Sequence, residues 1–476
     1  PKPSSAASDV YKRQYMMFEK SENQPLYIQL YEYYKRRIIN GEIKSGTRLL
    51  SIRKCAAELE MSKTTVETAY FQLAAEGYVM PKANSGFYIS DLSSFTQSIA
   101  SADRKTAFAD LSNLNNGKSY KIKYDFASSS VDRESFDFAL WRRYMKSALR
   151  DDERLLSYGE PQGEYDLREA ICEYAAKSRD TVCTPEQVVI GSGVQSLLYI
   201  LCAAMGERGS NAAFSGFYFE KGETVFRDMG YNVFTYPGRA DVSEFSRDNI
   251  SVVYVSPSGF NERGEVLPVH DRLKLIEYAG EYDALIVEDD YDSEFRYYGR
   301  PVPSLQGLDA GRNVVYLGTF SKLLIPSLRV SFMILPTSIM PKYEKIKNSY
   351  SQTASKAEQI ALGRFIRDGH LSSQIRKVRK LYMNKSRKLC GDAERIFGEK
   401  AKCEVSEGGF LIRLDVKSDR NCEELKTMAA EKGVALRAVT ESGERNVKSA
   451  VLSCSPMPSE MFEEALKKLY DAWFGK

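Results

Sequence analysis

Apolar residues recur at helical spacing through PLYIQLYEYYKRRIING, which Pro25 opens and Asn40–Gly41 closes, so a helix is predicted there. SIRKCAAELE predicts a short second helix capped by Ser51. MSKTTVETAYFQLAAEG predicts a third, with Ser62 as cap, Val66, Ala69 or Tyr70, and Leu73 on one face, and Gly77 as its stop. The next stretch, YVMPKANSGFYIS, reads as two short strands around an Asn-Ser-Gly turn. Three helices followed by a hairpin make a winged helix-turn-helix. Between Asp125 and about Pro336 the pattern changes. Near-continuous apolar runs (QVVIGSG, SVVYVSP, ALIVEDDYD, NVVYLGTF) alternate with helical segments, which predicts a mostly parallel sheet buried on both faces. Each run ends in polar or glycine residues, at the strand ends where open α/β sheets bind ligands. A long basic helix, QIRKVRKLYMNKSRKLC, then leads into a smaller α+β part.

These patterns divide the chain into an opening tail (1–22), a winged helix (23–90), a Ser/Asn/Lys-rich linker (91–121) and an α/β domain (122–476) whose small part begins at about 385. The tail opens PKPSSAASDVYKRQY, precedes a plausible start at Met16–Met17, and is expected to be disordered or non-native. Composition adds exclusions. Hydrophobic residues are 43% and charged residues 28% of the 476, ordinary for a globular protein, with a net charge of only +3. No apolar run reaches about 18 residues, so no membrane span is expected. Eight scattered cysteines without CxxC spacing point to reduced thiols in the cytoplasm. His270 and His370 are the only histidines, which argues against a histidine-based metal site or triad.

The chemistry must therefore rest on other groups. Lys322 follows the apolar run NVVYLGTF, where a lysine of lowered pKa can form a Schiff base with an aldehyde. The aldehyde cofactor that uses such a lysine is pyridoxal 5′-phosphate (PLP), which also needs a carboxylate for its ring nitrogen. Asp289 stands just past a strand, with Tyr291 two residues on. For the phosphate, IGSG opens a helix whose first N–H groups, near Gly193, Val194 and Gln195, would face an anion. Thr319 and Arg329 can add a hydroxyl and a bidentate guanidinium.

With these motifs in order, residues 125–476 resemble a fold-type I aminotransferase and residues 23–90 a GntR-type winged helix. The combination resembles the MocR/GabR family of PLP-binding transcription regulators, most specifically in PLYIQLY, EDDYDSEFRY and GTFSKLLIPSLR. The resemblance implies Lys322 as the Schiff-base lysine, Arg329 as the phosphate arginine, Asp289 on the ring nitrogen and Tyr291 on the ring oxygen. Thr319 and Ser321 join the phosphate set. Phe217 falls where the family has a ring-stacking tyrosine, Tyr158 matches a tyrosine reaching the neighbouring subunit's phosphate, and Asn261 corresponds to an asparagine on the ring oxygen. Val194 replaces a serine or threonine, and Gly259–Phe260 replace a His-Gln pair. The strand KSAVLSCSP lacks the arginine that clamps a substrate carboxylate; Lys448, Arg445 and Arg437 are the candidates to replace it.

At the other end, the third helix would enter a DNA major groove through Ser62, Lys63, Thr64 and Thr65, with Arg53 in the preceding helix and Gly86 at the wing tip. Residues 16–90 carry ten Lys/Arg against eight Asp/Glu, so operator binding is expected to need a homodimer. The leading expectation is a regulator that senses PLP or a PLP-reactive amine effector. The rivals are a working aminotransferase with an appended DNA-binding domain and a scaffold that has lost its cofactor.

Overall fold

The computed structural model describes residues 24–476 except 84, 92–119, 129, 207, 216–218, 237–241, 260–264, 291–292, 297–301, 407–409, 443–445 and 476. The expected tail and most of the expected linker lie outside the described residues. Backbone contacts divide the chain into two units, Pro1–Lys118 and Ser119–Lys476.

In the first unit, α1 (Leu26–Ile39), α2 (Ile52–Glu58) and α3 (Lys63–Ala75) precede an antiparallel hairpin of β1 (Val79–Lys82) and β2 (Gly86–Ile89). Both predicted caps form: Ser51 Oγ accepts from Lys54 N, and Ser62 Oγ from Thr65 N. The apolar stripe of α3 (Val66, Ala69, Tyr70, Leu73) is buried against Leu30, Tyr34 and Ile38 of α1 and Val79 and Ile89 of the hairpin. Truncating Leu73 to alanine would cost about 2–5 kcal/mol, because such a core has no slack to refill the space.

The second unit begins with β3 (Tyr124–Phe126) and continues through the helix α4 (Tyr165–Arg179). Next come β4 (Val188–Gly191), α5 (Val194–Met205), β5 (Asn211–Ser215), β6 (Asn232–Tyr236), β7 (Ile250–Val255), β8 (Leu285–Asp289), β9 (Val314–Thr319) and β10 (Ser331–Ile334). These strands form one seven-stranded sheet in the order β4-β10-β9-β8-β7-β5-β6. The inner strand β10 and the edge strand β4 are buried at every position, as continuous apolar runs require, whereas β6 at the opposite edge is largely exposed. All neighbours are parallel except β10, which runs antiparallel to both β4 and β9. That reversal matters for the site: it brings the start of β10 against the ends of its two neighbours.

The helix α6 (His370–Phe397) is longer than the basic motif suggested and runs unbroken through 385. A four-stranded antiparallel sheet follows, ordered β11 (Ala401–Val405), β12 (Leu411–Lys417), β15 (Val447–Ser453) and β14 (Ala438–Glu441). Ile412, Leu414, Ala450 and Leu452 of this sheet share a core with Leu389 and Ala393 of α6 and with Leu466 and Leu469 of α7 (Phe462–Phe474). The short β13 (Val434–Leu436) pairs in parallel with β3, so the segment from Tyr124 belongs with the small part, across more than 300 residues of sequence.

Candidate functional site

Three chain segments meet at the reversed strand. Ser331 opens β10 opposite Gly191 on one side and Thr319 on the other. Thr319 Oγ1 accepts from Ser331 Oγ at 2.9 Å and from Ser321 N at 3.3 Å, and lies 3.2 Å from Ser321 Oγ. Gly193 precedes α5 as its cap residue, with φ +147, and no side chain caps that helix. Arg329 adopts a left-handed backbone (φ 50), a conformation that non-glycine residues seldom take. Its guanidinium covers the Gly193 turn: a Cβ on Gly193 would lie 2.5 Å from Arg329 Nη2. The open helix N-terminus at Val194 and Gln195, one guanidinium and a cluster of hydroxyls form a donor set suited to a phosphate.

The acidic run Glu288–Asp290 straddles the end of β8, with Asp289 its last residue rather than just past it, and divides by the pleat. Alternate residues of a strand point to opposite faces, so Glu288 and Asp290 share one side and Asp289 takes the other. Glu288, fully buried, accepts from the backbone N–H groups of Leu305 and Gln306, each at 3.0 Å. Asp290 Oδ2 accepts from Arg179 Nε at 3.0 Å and from Ser293 Oγ at 2.8 Å, with Tyr316 as a further donor. Burial pushes Glu288 up to about 7, against the pull of Arg179. This pair is structural wiring. Asp289 instead receives Tyr254 Oη on Oδ2 at 2.6 Å. Burial and the Asp289 charge hold the Tyr254 phenol well above its ordinary value, so it stays a donor and orients the carboxylate. The Tyr254 ring stacks on Phe214 at 4.8 Å and on Phe219 at 5.8 Å, giving this end an aromatic floor. Nothing in the sequence reading picked out Tyr254; the signal available was a tyrosine near the end of the run SVVYVSP.

Lys322 lies three residues past β9, half-buried, with Nζ 5.1 Å from the centre of the Phe410 ring at the start of β12. The lysine thus sits where the small part closes over the large sheet. Tyr158 is fully exposed in the single chain. Tyr291, Phe217 and Asn261 lie outside the described residues, as does Arg445. Of the candidates to replace the missing carboxylate arginine, Lys448 is ion-paired with both carboxylate oxygens of Glu441. Arg437 donates its backbone N–H to Val451 O at 3.2 Å. A further cation, Arg413, stands directly opposite Val451 in β12. It is held by Glu404 at 2.7 Å and Asp415 at 2.9 Å.

In the first unit, Arg53, Lys63 and Thr64 are exposed. Ser62 is exposed as well and Thr65 half-buried, and their hydroxyls lie 2.7 Å apart and close the α3 cap. Gly86 has φ +100 at the start of β2, and a Cβ there would meet Arg48 Nε at 3.5 Å, which adds Arg48 to the wing's cations.

The family model for aminotransferase class I and II matches residues 122–469, and that for bacterial regulatory proteins of the gntR family matches residues 26–89. The chain is 36% identical over 455 residues to the uncharacterized HTH-type transcriptional regulator YdeL of Bacillus subtilis (strain 168), covering 94% of this chain and 97% of that one. It is 30% identical over 408 residues to the probable rhizopine catabolism regulatory protein MocR of Rhizobium meliloti, covering 83% of each. The chain belongs to the MocR/GabR family. Its aminotransferase-like part is similar in fold to LysN, an α-aminoadipate aminotransferase of Thermus thermophilus solved with N-(5′-phosphopyridoxyl)-L-leucine. That likeness has a TM-score of 0.63 at 23% identity and covers 78% of this chain and 98% of LysN. Like its MocR/GabR relatives, the chain joins a winged helix to an aminotransferase-like domain. Among the described residues no helix is long and apolar enough to cross a membrane, and no group of three or more metal-binding side chains is present.

Proposed function

We propose that this chain is a DNA-binding transcription regulator that holds PLP at Lys322 and responds to PLP itself or to a small amine. One observation carries the reading: the Arg329 guanidinium over the Gly193 turn and the hydroxyls of Thr319, Ser321 and Ser331 gather donors suited to a phosphate a few residues from Lys322, whereas β15 has no arginine. When bound, PLP supplies an aldehyde that condenses reversibly with amines and a ring that absorbs visible light. Lys322 would supply the amine. Arg329, Thr319, Ser321 and the N–H groups at Gly193, Val194 and Gln195 would hold the phosphate. Asp289, oriented by Tyr254, would face the ring nitrogen, with Tyr291, Phe217 and Asn261 around the ring. The steric cradle supports the fit, since the Gly193 turn has room for the Arg329 guanidinium only without a side chain.

A substrate carboxylate lacks its usual clamp at β15, and the ion pairs of Lys448 and Arg413 engage those two neighbouring cations. This favours a sensor over an aminotransferase. The winged helix would read operator DNA through Lys63, Thr64 and Arg53, with Gly86 at the wing. A homodimer would double those contacts and use the exposed Tyr158 to reach the second subunit's phosphate. The test joins two measurements. The purified protein should absorb at roughly 400–430 nm after incubation with PLP. Borohydride should fix the cofactor to Lys322, and Lys322→Ala should abolish that adduct. A mobility shift on DNA upstream of the protein's own gene should depend on PLP. A protein that stays colourless with added PLP would overturn the sensor reading, and failure to retard DNA at low salt would overturn the regulator reading.

A further inference from the structure

Cys172 and Cys183 differ from the other six cysteines. Their Sγ atoms are 3.3 Å apart and both side chains are half-buried, within reach of a small reagent. Cys55, Cys202, Cys390, Cys403 and Cys454 are buried, and the half-buried Cys422 lies beside Glu441. A second thiol pair, Cys390 with Cys403, is buried in the core between α6 and β11, which makes it an internal control.

We propose that Cys172 and Cys183 form a redox modification site, converted to a reversible disulfide by a peroxide-class oxidant. Cys172 projects from α4, and Cys183 lies in the segment leading into β4, which ends at the Gly193 turn. Both ends are well anchored. Arg179, on the same helix as Cys172, holds Asp290. The backbone of Val182, next to Cys183, is bound on both its N–H and its C=O by the Gln306 side chain, at 2.9 and 2.7 Å. Arg168, one turn before Cys172, donates to Pro185 O at 2.7 Å and so keeps a guanidinium close to the thiols, with Glu160 paired to it and Glu186 nearby. The hydrogen bond between the thiols holds Cys183 below its ordinary value and pushes Cys172 up, which favours Cys183 as the first to react.

The chemistry balances with peroxide as the sole oxidant. The Cys183 thiolate attacks one peroxide oxygen, the O–O bond breaks, and a sulfenic acid and one water result. The Cys172 thiol then attacks the sulfenic sulfur, the S–O bond breaks, the S–S bond forms and a second water leaves. Two thiols lose two electrons and two protons, and the peroxide is reduced to two waters. The product would staple the helix that holds Asp290 to the strand that carries the phosphate turn.

The experiment treats the reduced full-length protein with hydrogen peroxide and reads its mass, its thiol count and its peptide map. The mass should fall by about 2 Da through loss of two hydrogens. The Cys172 and Cys183 peptides should be linked, and dithiothreitol should restore both thiols. In Cys172→Ser, dimedone should label Cys183. A link that instead joins Cys390 to Cys403, or oxidation of either cysteine to sulfinic acid without a link, would overturn the proposal. The wild-type map decides the matter even if a variant fails to fold.

Discussion

Gly193→Ala isolates the steric argument for the phosphate site. The added methyl would lie 2.5 Å from Arg329 Nη2, inside any tolerable contact, but that atom is the far end of a flexible side chain. The guanidinium should swing away and the fold survive. Losing one charge-assisted hydrogen bond to phosphate costs about 1.5–3 kcal/mol, roughly 10- to 150-fold in PLP affinity. A separate cost falls on the backbone: φ +147 suits glycine, and alanine there should lose about 1–3 kcal/mol of stability. The two costs separate in a double-mutant cycle. Arg329→Ala alone should weaken PLP by a similar factor with little change in stability. Adding Gly193→Ala to it should lower stability further but leave PLP affinity where Arg329→Ala put it, because the clashing atoms are gone. The assay is visible-absorbance titration of apo-protein with PLP, paired with thermal unfolding of each apo-variant. Wild-type PLP affinity in Gly193→Ala, or additive losses in the double variant, would refute the cradle.

Common α-amino acids and GABA should shift the visible spectrum weakly and turn over slowly or not at all, since β15 has no arginine and Lys448 is tied to Glu441; brisk multi-turnover transamination would reverse that view. Arg53→Ala or Lys63→Ala should weaken operator binding by about 1–3 kcal/mol per base contact, acting in both half-sites of a dimer and leaving the visible band unchanged; gel shifts across a salt series would check it. Ser62→Ala should instead cost about 1 kcal/mol of unfolding free energy through the lost α3 cap, visible in denaturant titration. Burial holds Glu288 at about 7, above the 4.5 of an unfolded glutamate, so the native state binds the extra proton between those values. Its destabilising charge is fully present above pH 7 and is relieved as pH falls toward 4.5. The wild-type Tm should therefore rise relative to that of Glu288→Gln between pH 8 and pH 5; a difference that stays flat would sink this assignment.

Much of this protein is written in local patterns. Helical spacing with Ser51, Ser62 and Gly77 as punctuation placed the winged helix, because caps and apolar stripes are short-range properties. Apolar runs placed β4, β7, β8 and β9, since strands buried on both faces must be apolar throughout. They marked Lys322, Asp289 and the Gly193 turn at strand ends for the same reason. Less legible were β5, with small residues in NAAFS, the exposed edge strand β6, and the four-residue β10, none of which has a distinctive periodicity.

Tertiary structure decided the rest. The pleat, not the letters EDD, sends Asp289 toward Tyr254 and Asp290 toward Arg179. The antiparallel register of β10 sets Ser331 between Gly191 and Thr319, and a left-handed Arg329 lies over Gly193. Pairing of β3 with β13 draws the segment at Tyr124 into the small part, and folding brings Cys172 to Cys183. Each of these depends on which distant backbones run side by side, and residue type and local spacing carry no record of that.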